Sequence, residues 1–315
     1  MNRKIMILLV VVVASIAVSF TYFSVSKPQN KLIVSTTTSL YDTGLLDAMA
    51  ESYLGAYNVK LEFIAAGTGQ ALEHARNGDA DAVLVHSPST ENQFLSEGVV
   101  GARRIIAYNF FGIVGPSDDP AGISGLSAVD ALRKIAATGS TWVSRGDNSG
   151  THTKEKSLWK KAGMEIGDNA WYLESGTGMG QTLQITDEKM AYTLTDIGTY
   201  LKYKTDSLID LVVFVEQGKD LLNVYSVMAV NPENNPNVNF GGAIKFIEYL
   251  ASDDGQKMIG DFGKETYGVP LFYPAVRLLQ GDTDPQLSGW IRSYAFLENS
   301  ECPLRYRLGQ EQLYK

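Results

Sequence analysis

The strongest constraint on the fold is an alternation of short strand-like runs with segments of helical periodicity. Over residues 31–97, apolar β-branched runs such as 31–35 and 59–65 each precede a segment whose apolar residues recur every three to four positions. The same alternation resumes over residues 126–203. Repeated strand–helix pairs are typical of βαβ units, so they predict an α/β fold with mostly parallel strands.

Two long β-like runs, residues 104–114 and 223–230, separate the alternating segments. After the second run, helical spacing returns at residues 243–250. This order predicts two α/β lobes, with two crossing strands as the hinge and a first lobe built from two stretches of chain. Two lobes joined in this way have a cleft between them that can close on a small ligand.

The crossing runs also suggest where the lobes begin and end. We expect lobe I to comprise residues 27–109 and 225–274, and lobe II to comprise residues 110–224. Residues 275–315 then form a C-terminal extension. The aromatic residues of this extension predict that it packs against the rest of the protein; they are Trp290, Tyr294 and Phe296.

The N-terminal residues 1–26 differ from the rest of the chain. Arg3 and Lys4 precede an apolar run at 5–23, which at about 1.5 Å per residue would extend roughly 28 Å as a helix. This order is typical of an export signal or a membrane anchor, and the basic end places the remainder outside the cytoplasm. Residues 24–26 form a weak cleavage site, so cleavage and retention as a tether both stay open. We expect an exported, extracytoplasmic protein that contacts the membrane only through this segment if it is uncleaved.

Charge and cysteine content limit the classes of partner and fold. Without Arg3 and Lys4 the chain has 25 basic and 35 acidic residues, a net charge of −10. No basic patch suited to duplex nucleic acid is visible, so we expect no nucleic-acid partner. Cys302 is the single cysteine, which excludes a fold held by disulfides.

Three loops are alike in position and composition: each follows a predicted strand, opens a predicted helix and is rich in Gly, Ser and Thr. They are residues 36–39, 67–69 and 145–151. A helix N-terminus presents unpaired N–H groups and a positive dipole end, and small hydroxyl residues add donors for an anion. Arg145 adds a full charge on a planar guanidinium. The loops therefore predict an oxyanion site; its candidate ligand-binding residues are Thr37, Thr38, Ser39, Thr68, Gly69, Arg145, Ser149, Gly150 and Thr151.

A simpler interpretation stays open for each loop, because Ser and Thr are ordinary helix caps. Ser39, followed three residues later by Asp42, has the spacing of a capping box. In the third loop Asp147 stands two residues after Arg145. We expect Asp147 to orient the guanidinium through a charge-assisted hydrogen bond.

A fourth loop, residues 175–180, has the sequence SGTGMG. Its glycine spacing differs from the dinucleotide fingerprint, and it does not open the first βαβ unit. We predict that it is a glycine-rich loop that opens a helix at the cleft edge, with Thr177 as a further ligand-binding candidate.

The sequence gives little support for catalysis. It has no nucleophile elbow, and His74, His86 and His152 are scattered without the spacing of metal ligands. We interpret each of these histidines as a core or surface residue. We therefore expect no enzyme activity, no cofactor and no resident metal ion.

Several of these segments together resemble the tungstate-binding proteins of bacterial and archaeal ABC transporters. The resemblance covers residues 31–274, and its motifs, in order, are TTTS at 36–39, YDTGL at 41–45, AAGTGQA at 65–71, RGDNSGT at 145–151 and YTLTD at 192–196. It implies the type II periplasmic binding protein fold, in which two lobes close on a small ligand. Phosphate-binding relatives share the Arg-x-Asp-x-Ser-Gly-Thr pattern of the fourth motif. Relatives commonly have a basic residue where this chain has Ile197, and the extension at 275–315 exceeds their expected length.

The resemblance implies a solute-binding protein that captures tungstate or molybdate and delivers it to the permease subunits of an ABC transporter, as a monomer. Tungstate is an unprotonated dianion near neutral pH, so its site needs donors only. A phosphate-binding protein of the same fold is the first alternative, with Asp147 accepting the ligand's proton. An enzyme acting on a phosphorylated metabolite is the second, and the missing general base argues against it.

Overall fold

The computed structural model describes residues 30–167, 169–281 and 283–315. The predicted export segment at 1–26 lies outside these residues. Within the described part of the chain, no helix combines the length and the apolar character that crossing a membrane requires.

The strands follow the predicted order, with most ends within two residues of expectation. They are β1 (Asn30–Thr37), β2 (Val59–Ala66), β3 (Ala82–Val85), β4 (Val100–Gly115), β5 (Trp142–Ser144), β6 (Tyr172–Glu174), β7 (Thr193–Asp196), β8 (Val212–Val215), β9 (Leu222–Val230) and β10 (Tyr273–Pro274). The first long run begins four residues earlier than predicted, because Val100–Arg103 continue the same strand.

The helices alternate with the strands up to β9 and then follow one another. They are α1 (Thr38–Asp42), α2 (Leu45–Tyr57), α3 (Thr68–Asn77), α4 (Pro88–Ser96), α5 (Ala128–Thr138), α6 (Gly150–Lys161), α7 (Met179–Glu188), α8 (Ile197–Thr205), α9 (Phe240–Ala251), α10 (Asp253–Asp261), α11 (Lys264–Tyr267), α12 (Val276–Gly281) and α13 (Pro285–Ala295). One short 3-10 helix, Lys219–Leu221, precedes β9, and two more, Leu304–Tyr306 and Glu311–Tyr314, follow α13.

The larger sheet has the order β10-β4-β9-β3-β1-β2 and forms lobe I. β1 is parallel to both β2 and β3, whereas β9 is antiparallel to β3 and β4. The prediction of a mostly parallel sheet is therefore wrong, and the sheet is mixed. The reason is that β4 leaves the lobe and β9 returns to it, so these neighbouring strands run in opposite directions.

β4 is long enough to belong to both lobes. Its first part pairs with β9 from Val100 opposite Val230 to Phe110 opposite Leu222. Beyond that, from Phe111 to Gly115, it pairs with β7 and β8. Together with the parallel pair β5 and β6, these strands form lobe II. The two predicted crossing strands are thus β4 and β9, and the predicted two-lobe architecture is confirmed.

Each lobe has its own hydrophobic core. In lobe I the helical spacing predicted near residues 243–250 places Phe246 and Ile247 of α9 against Leu32 and Val34 of β1. In lobe II, Trp142 and Trp159 pack edge to face with ring centroids 5.2 Å apart. Burying a large apolar side chain contributes about 1.5–3 kcal/mol, so each lobe is stabilised independently of the other.

The C-terminal extension covers the hinge strands. Ile291 and Ala295 of α13 are buried against Leu222 and Val224 of β9 and Ile105 of β4. The aromatic residues predicted to pack do so in the same cluster; they are Trp290, Tyr294 and Phe296.

Candidate functional site

The loops predicted to bind an anion meet across the cleft. A methyl group placed on Gly67 would lie 3.8 Å from the Cα of Ser149. A methyl group placed on Gly150 would lie 3.3 Å from Thr68 Oγ1. Loops from the two lobes are therefore in contact at this point of the cleft. The absence of a side chain at Gly150 makes this close approach possible.

Two helix N-termini face each other in this region. α3 begins after its N-cap residue Gly67, and α6 begins after Ser149, whose Oγ accepts a hydrogen bond from the N–H of His152 at 3.3 Å. The first-turn N–H groups of both helices have no acceptor within their own helix. Both dipoles therefore favour an anion at the contact between the lobes.

Three buried polar atoms near this contact lack hydrogen-bond partners. Among the described residues, Thr68 Oγ1, Thr151 Oγ1 and Arg145 Nε have no acceptor or donor within reach. Leaving such a group unsatisfied costs about 1–3 kcal/mol, and most buried polar groups are paired. Atoms of three predicted site residues therefore remain available to a ligand.

The Arg145 side chain is buried and held by its own loop. Its NH2 group donates to Asp147 Oδ2 at 2.5 Å and to Thr38 Oγ1, across the cleft, at 3.4 Å. The other carboxylate oxygen of Asp147 accepts the N–H of Ser149 at 3.1 Å. The prediction that Asp147 orients Arg145 is confirmed. Both oxygens of this carboxylate have partners in the loop.

The first loop does not use the predicted capping box. Thr37, not Ser39, is the N-cap of α1, and its Oγ1 accepts the N–H of Leu40 at 3.3 Å. Asp42 is the last residue of that helix rather than a capping partner. The capping-box interpretation is wrong because the chain continues as a strand through Thr37 and turns only after it. The hydroxyl groups of Thr38 and Ser39 therefore do not cap this helix and have other partners, Arg145 for Thr38 and His86 and Thr37 for Ser39.

Thr177 differs from Thr68 and Thr151 because its hydroxyl group already has partners. Its hydroxyl group bonds within its own loop, to Ser175 Oγ and Thr182 Oγ1, each at 3.3 Å. The neighbouring Gly178 is the N-cap of α7 and faces lobe I, where a methyl group on it would lie 3.9 Å from Asp42 Oδ2. The loop therefore reaches the cleft through its glycine.

His86 is part of the site, which the sequence analysis did not foresee. It is buried, and its Nε2 lies 3.2 Å from Ser39 Oγ. Its Nδ1 lies 2.9 Å from Oδ1 of Asn223, a residue of the hinge strand β9. Burial lowers the pKa of His86 to about 4. One signal was present: His86 follows β3, and the ends of neighbouring parallel strands meet at one edge of a sheet.

Two further polar residues border the site from α8. Asp196 is the N-cap of α8 and accepts the N–H of Thr199 at 2.8 Å, and burial raises its pKa to about 6. Lys202, six residues further on, donates to the carbonyl of Asp42 across the cleft at 2.9 Å. A basic residue thus ties the lobes together, although Ile197 occupies the position where relatives commonly have one.

A cavity of about 890 Å³ lies elsewhere, on lobe II, and its lining includes His152, Lys156, Trp159 and Glu174. Of the ten predicted site residues, none lines it. Within the described part of the chain, no group of three or more His, Cys, Asp or Glu is placed to hold a metal ion.

The chain is similar to several known proteins. A family model described as a PBP superfamily domain matches residues 24–254. The tungstate-binding protein TupA of Peptoclostridium acidaminophilum is 42% identical over 255 residues, which cover 79% of this chain and 88% of that protein. The solved tungstate-binding protein TupA of Desulfovibrio alaskensis G20 is 44% identical, with a TM-score of 0.68, over 78% of this chain and 98% of that one. A solved tungstate ABC transporter protein from Geobacter sulfurreducens is 45% identical, with a TM-score of 0.68, over 74% of this chain and 98% of that one.

Proposed function

The chain belongs to the tungstate-binding proteins of the PBP superfamily, and from this premise we propose that it captures a tetrahedral oxyanion for an ABC transporter. The oxyanion is tungstate, with molybdate as the second ligand. The protein binds it between its lobes and delivers it to the permease subunits. No chemistry takes place on the ligand.

One observation carries this proposal beyond family membership. Buried donors of both lobes, Thr68 Oγ1, Thr151 Oγ1 and Arg145 Nε, have no partner among the described residues. A tetrahedral dianion offers four acceptor oxygens and needs only donors. Because these residues are buried, each bond to the dianion is stronger than its counterpart in water.

We assign the ligand contacts to the residues chosen from the sequence. Arg145 contributes its guanidinium, and the first turns of α3 and α6 contribute N–H groups. The remaining candidates contribute hydroxyl or backbone donors from the surrounding loops; the full set is Thr37, Thr38, Ser39, Thr68, Gly69, Arg145, Ser149, Gly150, Thr151 and Thr177. Thr177 acts through its loop, because its hydroxyl group is already bonded there.

Phosphate is the less suitable ligand. It keeps a proton near neutral pH and needs an acceptor in the site. Asp147 is the acceptor that the sequence offered, and its two oxygens are bonded to Arg145 and to the Ser149 N–H. Turning it to a ligand would break both bonds.

The remaining assignments extend the same proposal. Lobe I comprises residues 27–109 and 225–274, lobe II residues 110–224, and the extension 275–315 covers the hinge. The protein works outside the cytoplasm as a monomer, with residues 1–26 as its export signal or tether. It is a binding protein without enzyme activity, cofactor or resident metal ion.

Titration of the purified protein with tungstate, molybdate, sulfate and phosphate tests the function. Trp142 and Trp159 in lobe II provide the fluorescence signal, and calorimetry gives the affinities. We expect tungstate and molybdate to bind most tightly, one ion per chain, and Arg145→Ala to weaken that binding. Phosphate that outcompetes tungstate on the wild-type protein would overturn the choice of ligand.

A further inference from the structure

His86 links the two lobes and the hinge. Its ring follows β3 of lobe I, and a methyl group on Gly150 of lobe II would lie 3.0 Å from its Cε1 and 3.2 Å from its Nε2. On the hinge side it stacks on Tyr225, with ring centroids 5.0 Å apart at 21°. Its two nitrogens contact Ser39 and Asn223. The ring therefore borders the proposed oxyanion site without belonging to any of the predicted loops.

The hydrogen bonds define which nitrogen of the His86 ring carries its proton. Asn223 donates from Nδ2 to Asn109 Oδ1 at 3.0 Å and to Tyr225 Oη at 2.8 Å. Its Oδ1 is thus the acceptor of the proton on His86 Nδ1. In the neutral ring, which burial favours, Nε2 then carries a lone pair. The Ser39 hydroxyl group donates to that lone pair, so its hydrogen is directed away from the anion site.

We propose that His86 is a positioning residue that takes up one proton from solvent when the oxyanion binds. The added proton resides on Nε2, which then donates to Ser39 Oγ. The Ser39 hydroxyl group rotates and donates its hydrogen to the oxyanion. No covalent bond to the ligand forms or breaks. The inference rests on the proposed function, because the charge of the bound dianion is what stabilises the protonated ring.

The groups around His86 support this exchange. Besides burial, the charge of Arg145 disfavours the protonated ring, and a dianion next to Arg145 reverses the sign of that field. β9 contributes Asn223 and Tyr225, α1 contributes Ser39, and β4 contributes Phe111, at 6.3 Å between ring centroids. Four further titratable or charged groups lie around these neighbours. Lys154 lies over the Phe111 ring, Asp147 is paired with Arg145, and the charge of Asp196 acts on Tyr225. His152 lies on α6, which contacts the His86 ring through Gly150, and burial lowers its pKa.

The inference fixes the sign of the pH dependence. The pKa of the ring is low in the ligand-free protein and higher in the loaded protein, so binding takes up protons between the two values. Tungstate affinity is therefore highest at low pH and falls as pH rises through the pKa of the loaded ring. The steepest possible fall is tenfold per pH unit for a single proton.

Calorimetry in buffers of different ionisation enthalpy measures this proton directly. We expect tungstate binding to the wild-type protein to show proton uptake at about pH 6, which declines towards about pH 8. His86→Gln keeps a side-chain donor near Ser39 but cannot titrate, so its binding heat should not depend on the buffer. His74→Gln is the matched control because His74 lies in the last turn of α3, away from the N–H groups of its first turn, with Nδ1 2.9 Å from Ser35 Oγ, and it should behave like the wild type.

A second measurement covers the case in which His86→Gln does not fold. NMR of the wild-type imidazole Cε1–H signals, assigned with the His74→Gln and His152→Gln variants, should show that the His86 ring titrates at higher pH after tungstate is added. Tungstate binding without proton uptake across this range, or uptake retained in His86→Gln, would overturn the inference and leave the proposed function intact. A wild-type protein that does not bind tungstate at all would overturn both.

Discussion

Arg103 and Arg145 are both buried arginines, but their surroundings differ. Arg103 on β4 uses every guanidinium nitrogen: Nε donates to the carbonyl of Glu301 at 2.7 Å, NH1 to Asn92 Oδ1 at 2.7 Å, and NH2 to the carbonyl of Ala295 at 2.8 Å. Arg145 bonds through NH2 to Asp147 and Thr38, while its Nε has no partner in the described chain. Burial alone therefore does not identify a binding residue; what sets Arg145 apart is an unused donor at a position where it bonds across the two lobes.

The difference corresponds to two tasks. Arg103 attaches the C-terminal extension to lobe I, and NH1 also lies 3.6 Å from the buried carboxylate of Glu91. Its bonds are complete without a ligand. Arg145 stands where loops of the two lobes meet, and its bonds are incomplete until a ligand is present. We therefore expect substitutions of Arg103 to change stability and substitutions of Arg145 to change affinity.

The largest effect should come from Arg103→Ala, with a loss of about 3–5 kcal/mol in the free energy of unfolding. The substitution leaves Glu91 buried beside a cavity and removes the donors that hold Glu301 and Ala295. Urea denaturation measures the change. Arg305→Ala in the same extension is the control, since that side chain is exposed and its ion pair with Glu298 should contribute little. An unchanged urea midpoint together with lost tungstate binding would reverse the roles assigned to the two arginines.

Arg145→Ala should have the opposite profile. We expect tungstate affinity to fall by about 2–4 kcal/mol, the range for removing one member of a desolvated charge pair. The melting temperature of the ligand-free protein should change little, because Arg145 is not fully bonded there. The tungstate affinity of Arg145→Lys should lie between those of the wild type and Arg145→Ala, since lysine keeps the charge and loses the planar guanidinium. Unchanged calorimetric affinity in folded Arg145→Ala would contradict the assignment.

Two buried threonines allow the same comparison between effects on affinity and on stability, with smaller expected changes. Thr68→Val and Thr151→Val each remove a hydroxyl group that has no partner within the described chain. Each should weaken tungstate binding by about 1.5–3 kcal/mol, the value of a hydrogen bond to a charged group, without lowering stability.

The control for these threonines is Thr36→Val. Thr36 is also buried, but its Oγ1 donates to the carbonyl of Leu84 at 2.8 Å. This variant should lose stability by about 1 kcal/mol and keep its affinity. A thermal melt and a tungstate titration of all three variants decide the matter, and a stability loss in Thr68→Val equal to that in Thr36→Val would contradict the ligand role.

How far the sequence predicts this molecule depends on whether a feature is local. The alternation of strands and helices and the two crossing runs are local patterns, and both are confirmed in β1 to β9. Asp147 beside Arg145 is equally local, because two residues in one loop suffice for their bond. The mixed strand direction of the sheet is not a local feature, because it depends on which strands β9 pairs with when the chain returns to lobe I.

The same reasoning explains the residues that the sequence analysis missed. His86 and Asn223 are 137 positions apart, and their hydrogen bond exists only because β3 and β9 are neighbours in the sheet. A histidine at the end of a strand has no pattern that separates a site residue from a core residue. Lys202 could not be predicted for a related reason: it reaches Asp42 from the opposite lobe, and position 197, where relatives commonly have a basic residue, is Ile in this chain.

The smallest effect should come from Asp147→Asn, which tests how Arg145 is held. In the structure this carboxylate bonds Arg145 and the Ser149 N–H rather than the interior of the cleft. Asparagine keeps the size and removes the charge, so the guanidinium is held less firmly. We expect every oxyanion to bind more weakly by less than about 1.4 kcal/mol, or tenfold, and the order tungstate, molybdate, sulfate, phosphate to stay the same.

If Asp147 instead accepted a ligand proton, the substitution would abolish the preference for a protonated anion, and sulfate would gain on phosphate. Competition binding on the wild-type protein and Asp147→Asn separates these outcomes, because positioning of Arg145 affects all the anions alike and proton acceptance affects phosphate alone.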